Sequence, residues 1–319
     1  MSNSHVNPQF KSIVYQQKNA KYRKCLWHTM TCPNEPIKAH AVQNRQVLDR
    51  IAEDGHVVMV RPDIKEDEIR IHFDKIGRNI ATTFTGLCSQ HDSELFRPIE
   101  TQPPDPTNPE HQFLVAYRSV LKGLHSSLHA GAMVQQAFTK GVELGELSED
   151  GEEMLMATMQ IASAMQFFNV AQFYHDVYRS AQWDRVRHET LLLSLIRPPV
   201  AATGVVLPTE AEHRYSSDCP HLLAFNVFPL GKSLYLQFSW HPDSEAAMRP
   251  TIEPILQAIG DYQLYLLSKL ILKYTETFVI RPSTYEGFAN KQLEAIERYF
   301  VANSCGNRQD WDDKQLFLF

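Results

Sequence analysis

The sequence predicts an α+β fold in which a small N-terminal module, residues 1–101, precedes a larger, helix-rich α+β region, residues 111–319. Three observations lead to this prediction. The cysteines with metal-ligand spacing lie within the first hundred positions. Four prolines crowd residues 102–110, a stretch too rich in proline for a helix or a central strand, which we interpret as a linker. Beyond it, helical spacing of apolar residues gives way to strand-like runs and then returns.

Length and composition bound the class of protein. The chain has 319 residues, 43% of them apolar, which suffices for one large domain or two ordinary domains with a substantial core. It contains no uninterrupted run of about 18 apolar residues, so we expect no membrane span and no membrane partner. The N-terminus is polar and basic and lacks the apolar core of a secretory signal, so we expect a cytoplasmic protein. The sequence does not define the oligomeric state.

The first hundred residues predict a strand-rich module that ends in a helix. Dense β-branched residues and period-two alternation indicate strands, and a helix cap follows the last of them. The predicted elements are a short strand that runs into a helix over 37–52, strands at 56–61 and 69–73, and a strand-like approach, 82–87, to a helix that begins at Asp92 or Ser93.

The remaining residues predict long helices, then a sheet, then helices again. Leucines at helical spacing follow the linker, and a second strongly apolar helix comes next, so we expect two long antiparallel helices. The predicted elements are helices around 114–128 and over 154–178, strands at 191–196, 205–207, 221–228 and 233–240, the last two joined by a hairpin turn at 229–232, and helices at 252–274 and 284–302.

The feature that points toward chemistry is a split set of metal-ligand residues. Cys25 and Cys32 are followed far downstream by Cys88 and His91, whose spacing lets one turn aim both side chains at a single ion. Three thiolates and one imidazole are the donors of a closed tetrahedral zinc site. We therefore predict structural Zn²⁺ bound by these four residues, and an alternative set in which His28 replaces one of them stays open.

Other familiar chemistries are not indicated. Five cysteines, an odd number without a secretory signal, do not form a disulfide framework, and we expect Cys219 and Cys305 to be free thiols. The sequence has no glycine-rich phosphate-binding loop of the G-x-x-x-x-G-K type and no G-x-S-x-G nucleophile elbow. ATP-driven work and serine hydrolysis are therefore not expected.

The order of these residues resembles a zinc-containing treble-clef domain of the HNH endonuclease type. In that family a cysteine pair precedes a β-hairpin whose first strand carries a key histidine, and a second ligand pair opens a helix. The matching positions are Cys25 and Cys32, then Ala39-His40, then the string 87–92, Leu-Cys-Ser-Gln-His-Asp. The resemblance covers about residues 25–96 and implies an HNH-like ββα arrangement.

The resemblance also implies catalytic roles. His40 would be the general base that takes a proton from the attacking water, because an imidazole of near-neutral pKa can accept it. Asp92 would bind a catalytic divalent ion, Mg²⁺ or Mn²⁺, that neutralises charge on the scissile phosphate. Asn44 or Gln43 would orient the imidazole or the water. This catalytic ion is distinct from the structural zinc, which folds the module.

The charge distribution adds a candidate partner. The chain carries a net charge of −6, yet residues 1–50 contain eight Lys and Arg against two acidic residues. A nucleic-acid binder gathers basic residues locally even when its total charge is negative, because phosphate contacts depend on the local field. The alternative is a solvated basic tail with no partner.

Two functional hypotheses follow. The leading one is metal-dependent cleavage of nucleic acid, with residues 111–319 binding a protein partner or restraining the nuclease. By analogy, such a combination suits a bacterial defence or mobile-element effector. The competing hypothesis is a non-catalytic, zinc-stabilised docking protein for nucleic acid or a protein partner. It is favoured by Ala39, which stands where active members of the resembled family place a carboxylate.

Overall fold

The computed structural model describes residues 13–14, 22–64, 69–207, 221–304 and 309–319. Most of the basic N-terminal arm lies outside these ranges, as do Cys219 and Cys305, so the expectations for them stay predictions. The described strands are β1 (Ala39–His40), β2 (His56–Ile64), β3 (Ile69–Gly77), β4 (Thr83–Phe84), β5 (Arg187–Ser194), β6 (Val200–Val206), β7 (Leu223–Leu230), β8 (Ser233–Trp240) and β9 (Phe278–Ile280).

The helices confirm the α+β class. A π-helical turn, Asn44–Leu48, runs directly into the first α-helix. The α-helices are α1 (Asp49–Ile51), α2 (Ser89–Glu100), α3 (Pro109–Glu143), α4 (Glu152–Ser180), α5 (Glu245–Gln257), α6 (Gly260–Tyr274), α7 (Pro282–Glu286) and α8 (Asn290–Ser304). Over the described ranges, none of these helices combines the length and apolar character that crossing a membrane requires.

The last proline of the predicted linker starts the longest helix. Pro109 occupies the first turn of α3, where its missing N–H costs nothing. Asn108 caps this helix, its side-chain oxygen accepting a hydrogen bond from the backbone N–H of Glu110 at 2.9 Å. Proline and cap together fix where α3 begins.

Seven strands form one antiparallel sheet in the order β3-β2-β9-β6-β7-β8-β5. Strand β2, from the first hundred residues, pairs with β9 near the C-terminus, Val58 opposite Ile280 and Met59 opposite Val279. Main-chain hydrogen bonds therefore join the N-terminal third to the C-terminal region. The division into two domains at 102–110 stays a prediction.

Helices cover both faces of this sheet. Successive residues of a strand point to opposite faces, so Ala224 and Phe225 of β7 belong to different cores. Ala224 packs in the core that contains Phe113 of α3 and Tyr174 of α4. Phe225 packs in the core that contains residues of α5, α6 and α8, among them Leu267. Burial of both faces explains why β7 and β8 read as nearly continuous apolar runs.

A row of buried polar side chains fixes α3 on the sheet. Thr203, Asn226 and Gln237 stand side by side on β6, β7 and β8. The Ser119 hydroxyl of α3 lies 2.8 Å from the Thr203 hydroxyl, and Asn226 Nδ2 donates to it at 2.8 Å. Gln237 Nε2 donates to the backbone carbonyl of Gln112 at 2.7 Å. Since a buried polar group without a partner costs about 1–3 kcal/mol, these pairs favour one register of α3.

Several predicted elements differ from those observed. The helix predicted over 252–274 is wrong as one element, because α5 ends at Gln257 and α6 begins at Gly260, whose φ of +60° suits glycine. The helix predicted over 284–302 is likewise two helices, α7 and α8. Pro229 and Leu230 belong to β7, which shortens the hairpin turn to two residues. Strand β9, only three residues long, was not predicted.

A half-buried histidine on β5 makes folding stability depend on pH. His188 Nδ1 lies 2.8 Å from the Ser239 hydroxyl, and its Nε2 is enclosed without a partner. Burial lowers the pKa of His188 to about 4. Between about pH 6.5, where an unfolded histidine titrates, and pH 4, the unfolded chain takes up a proton that the native state resists. Stability from this residue is therefore present above pH 6.5 and is lost as the pH falls.

We expect His188→Gln to reduce the acid sensitivity of folding. From pH 7 to pH 5 the variant should lose about 2 kcal/mol less unfolding free energy than the wild type, as measured by urea titration. His72→Gln, a change at an exposed histidine of β3, serves as the control and should follow the wild type. Equal losses in the wild type and in His188→Gln would contradict this assignment.

Candidate metal centre

The four predicted ligand residues come together. Cys25 and Cys32 flank a 3-10 turn, Cys88 caps the N-terminus of α2, and His91 lies in its first turn. Their three sulfur atoms and one imidazole nitrogen lie within 4.8 Å of one another. Over the described residues this is the one group of three or more His, Cys, Asp or Glu side chains with such convergence. The prediction that these residues form a cluster able to bind a metal is confirmed.

The distances inside the cluster fit a tetrahedral ion. His91 Nδ1 is 3.4 Å from Cys25 Sγ and 3.4 Å from Cys88 Sγ. Cys32 Sγ is 4.0 Å from Cys88 Sγ, and all three cysteines are free thiols. Around a tetrahedral zinc, zinc–sulfur and zinc–nitrogen bond lengths place sulfur and nitrogen about 3.6 Å apart and two sulfurs about 3.8 Å apart. The residues present are therefore compatible with a zinc site.

Main-chain hydrogen bonds hold the two halves of the cluster together. Leu26 N–H donates to the carbonyl of Gly86, and Ile37 N–H donates to that of Leu87, both at 2.8 Å. A side chain at Gly86 would begin 2.4 Å from the ring of Phe84, so glycine at this position lets that ring pack against the turn. The segment with the first two cysteines is thus bound beside the turn that leads to Cys88.

The surroundings of Cys25 and Cys88 act differently on the two thiols. Burial raises the pKa of the Cys25 thiol to about 12. Burial also acts to raise the pKa of Cys88, but hydrogen bonds from the backbone N–H of His91, the thiols of Cys25 and Cys32 and the backbone N–H of Gln90 outweigh it and lower this pKa. Cys25 Sγ accepts a hydrogen bond from Cys88 N–H at 3.3 Å. Because thiolates rather than thiols bind metals, a divalent ion would stabilise the charged form that burial alone opposes.

Aromatic rings cover the imidazole ligand. Trp27 stacks on His91 with 4.3 Å between ring centroids and 7° between planes. The edge of Trp27 meets the ring of His175 at 4.5 Å, and His28 stacks on the other side of His175. Trp27 therefore covers one face of the His91 ring. His28 lies outside the group of four, so the permuted ligand set is not the one formed.

The candidate base lies on the antiparallel strand pair β1–β4, with His40 opposite Thr83. Residues 41–82 separate the two strands along the chain, so the pair is not a hairpin. His40 Nε2 lies 3.1 Å from the backbone carbonyl of Arg78. A carbonyl can only accept, so Nε2 carries the proton and Nδ1 keeps its lone pair. Burial lowers the pKa of His40, and the nearby Arg118 guanidinium lowers it further. The imidazole is therefore neutral at neutral pH.

The two other predicted catalytic residues have different surroundings. Asp92 is buried on α2, and its burial raises the pKa of the carboxyl while Arg118 opposes that shift. Asn44 accepts a hydrogen bond from Arg78 Nη1 at 2.8 Å and donates to Asn79 at 3.0 Å. Arg78 thus links Asn44 to the carbonyl that holds His40.

Gln43, the other predicted orienting residue, points elsewhere. Its Nε2 donates to the carbonyl of Ile99 at 2.7 Å, and its buried Oε1 has no hydrogen-bond partner. This side chain lies in a small cavity that Arg118 also lines. Gln43 therefore ties the turn after His40 to the end of α2.

An arginine that the sequence interpretation missed acts electrostatically on both candidate catalytic residues. Arg118 of α3 is buried, pairs with Glu100 at 2.7 Å and lies over the ring of Phe96 at 4.1 Å. Its charge and that of Glu100 act on both His40 and Asp92. The available signal was its position, since residue 118 falls on the apolar face of the leucine-rich helix.

Comparison with known proteins leaves the site to be interpreted from its own geometry. No protein-family model matches the chain, and no curated protein or solved structure is significantly similar to it. The cluster and the β1–β4 strand pair are therefore the observations on which function is argued.

We expect the four-residue cluster to bind one metal ion per chain. Cys88→Ser should lose that ion and unfold the segment around it, because three remaining ligands cannot close a tetrahedral site. Metal content by plasma mass spectrometry and protease sensitivity of residues 22–100 measure the two effects. Cys219→Ser, the same change at a cysteine outside the cluster, should leave both unaltered. Full metal content in Cys88→Ser would contradict the ligand assignment.

Proposed function

We propose that residues 25–100 form a zinc-stabilised module that cleaves nucleic acid, with His40 as the general base. The observation that carries this proposal is the fixed, neutral imidazole of His40, whose Nε2 is bound by the Arg78 carbonyl and whose Nδ1 is able to accept a proton. His40 lies on strand β1, which precedes the metal-binding helix α2 along the chain, the order found in the resembled nuclease family.

Zinc is the ion that best fits the cluster. Three thiolates and one imidazole at tetrahedral spacing are a donor set that zinc prefers over the hard cations Mg²⁺ and Ca²⁺. All four positions are filled by protein ligands, so the ion would be structural. It would keep α2 in a fixed position relative to the β1–β4 strand pair, which carries His40.

The chemistry at His40 follows from its surroundings. A neutral imidazole can take a proton from a water molecule that attacks a phosphodiester, a contribution of about 10²–10⁴-fold to rate. The guanidinium groups of Arg78 and Arg118 lie near enough to influence its pKa, and Arg78 remains partly exposed. Arg78 is therefore the group we assign to the phosphate. Asp92 would supply an oxygen ligand to a Mg²⁺ or Mn²⁺ that neutralises the developing charge, and Asn44 would orient the imidazole or the water.

A second candidate is a non-catalytic docking protein for nucleic acid or a protein partner. The same zinc cluster would then serve only as a rigid element. Three observations favour it: Ala39 replaces a carboxylate, Asp92 is buried, and both ends of the Asn44 amide are engaged by Arg78 and Asn79. In either case residues 111–319 would bind the partner or restrain the module, and a role in defence stays a prediction.

Cleavage assays separate the two candidates. Wild-type protein with Mg²⁺ or Mn²⁺ should cleave single- or double-stranded DNA or RNA, and His40→Ala should be at least about 100-fold slower because the base is removed. Unchanged zinc content in the variant shows that the loss is chemical rather than structural. His72→Ala, at an exposed strand histidine, is the matched control and should retain full activity.

The pH profile gives an independent check on the same base. Because the pKa of His40 is lowered, its base form persists below pH 6.5, and the rate should decline only on further acidification. Equal rates in the wild type and His40→Ala would falsify His40 as the base. Absence of cleavage by the wild type on every substrate would support the docking protein.

A further inference from the structure

A large cleft lies between the β1–β4 strand pair and helix α3. Its volume is about 870 Å³, within the range of about 300–1,000 Å³ typical of ligand pockets. One wall is the β1–β4 strand pair with its flanking residues, and another is α3. A third wall comprises β2, β6 and the segment 274–277 that leads into β9. The cleft is therefore built by both the N-terminal module and the C-terminal region.

The charged side chains that line the cleft are mostly basic. Lys38, Arg61 and Lys122 line it, against one carboxylate, Glu276. Lys122 Nζ donates to the Ser126 hydroxyl at 2.7 Å and lies 3.4 Å from Glu276, so one cation is already neutralised. Lys38 and Arg61 are exposed, and Arg61 makes a long 3.8 Å contact with Asp74, a carboxylate outside the cleft. An excess of positive charge in a concave surface attracts anions.

The α3 wall combines small residues with longer ones. Ser119, Gly123, Ser127 and Ala130 recur at three- and four-residue spacing and line the cleft beside Lys122, His125, His129 and Met133. The hydroxyls of Ser119, Ser126 and Ser127 bond to protein groups, as do those of the lining residues Thr83, Thr85 and Thr275. The small residues therefore shape the space, and ligand recognition falls to the charged and aromatic side chains.

Aromatic rings complete the lining. Phe84 and Phe167 are buried and form part of the floor, whereas Tyr22 and Tyr274 are half-buried and keep exposed ring surface. Phosphate-attracting cations combined with aromatic rings are the features of surfaces that bind single-stranded nucleic acid, where bases stack on the rings.

The cleft borders the β1–β4 strand pair that carries the candidate base. His40 is opposed to Thr83, and directly opposed residues of an antiparallel pair share a face. Thr83 lines the cleft, as does Lys38, two residues before His40, whereas His40 is not among the lining residues. A chain lying in the cleft would therefore run along the strand pair that carries the imidazole.

We infer that this cleft binds a single-stranded segment of nucleic acid and places it along the β1–β4 strand pair that carries His40. The inference rests on the proposed function and names its substrate class. A single strand can turn its bases onto Tyr22 and Tyr274 while its phosphates meet Lys38 and Arg61. In a duplex the bases are stacked inside and cannot reach these rings, so duplex binding should be weaker.

Binding is tested on the full chain without added Mg²⁺ or Mn²⁺, by fluorescence anisotropy of a labelled 12-nucleotide single strand. The double variant Lys38→Ala/Arg61→Ala should bind more weakly, and its plot of log affinity against log salt should be shallower by about 1.4, since each lost phosphate contact on a single strand removes about 0.7. Glu276→Gln should bind more tightly. Lys232→Ala/Lys291→Ala removes two exposed charges outside the cleft and should match the wild type.

The outcomes distinguish this inference from the nuclease proposal. Unchanged single-strand affinity in Lys38→Ala/Arg61→Ala, or a duplex bound as tightly as the strand, overturns the inference even if His40-dependent cleavage occurs. A mononucleotide bound as tightly as the strand, with the same dependence on these residues, also overturns it. Cleft-dependent strand binding in a wild type that cuts no substrate supports the inference and refutes the nuclease.

Discussion

The structure around the candidate site depends on one constraint, the convergence of four ligand atoms from two segments far apart in the chain. Cys25 and Cys32 meet Cys88 and His91 because main-chain hydrogen bonds pair the segments, Leu26 with Gly86 among them. Burial disfavours the Cys25 thiolate, so a bound cation would have to offset that cost to hold the residue in its metal-binding form. A bound ion would therefore contribute directly to folding of this part of the chain.

The cluster also positions the strands and the helix that adjoin its ligands in the chain. Residues between the two ligand pairs form strand β1, which pairs with β4, and the paired strands β2 and β3. The pairing of β2 with β9 joins these two strands to the rest of the main sheet. On the other side, α2 carries Asp92 toward Arg118 of α3. The proposed catalytic imidazole and the cleft beside it are thus held between a metal cluster and a packed sheet, which suits a site that needs fixed geometry.

Much of the fold could be predicted from local patterns. Ligand spacing identified Cys88 and His91, and alternation identified β2 and β3, because both signals lie within a few residues. The pairing of β2 with β9 could not be predicted, since it joins residues more than 200 positions apart. Arg118 was missed because a helical pattern reports which face is buried and does not report what a charge on that face contacts. The carbonyl of Arg78 that holds His40 is a backbone group and leaves no sequence signal.

The central claim is that three sulfurs and one nitrogen share a single zinc ion. X-ray absorption at the zinc edge of the purified protein tests it most directly, because it reports the atoms bound to the metal. The account predicts three sulfurs at about 2.3 Å and one nitrogen at about 2.0–2.1 Å per zinc. A first shell of oxygen atoms, or a protein that binds no zinc, would contradict it.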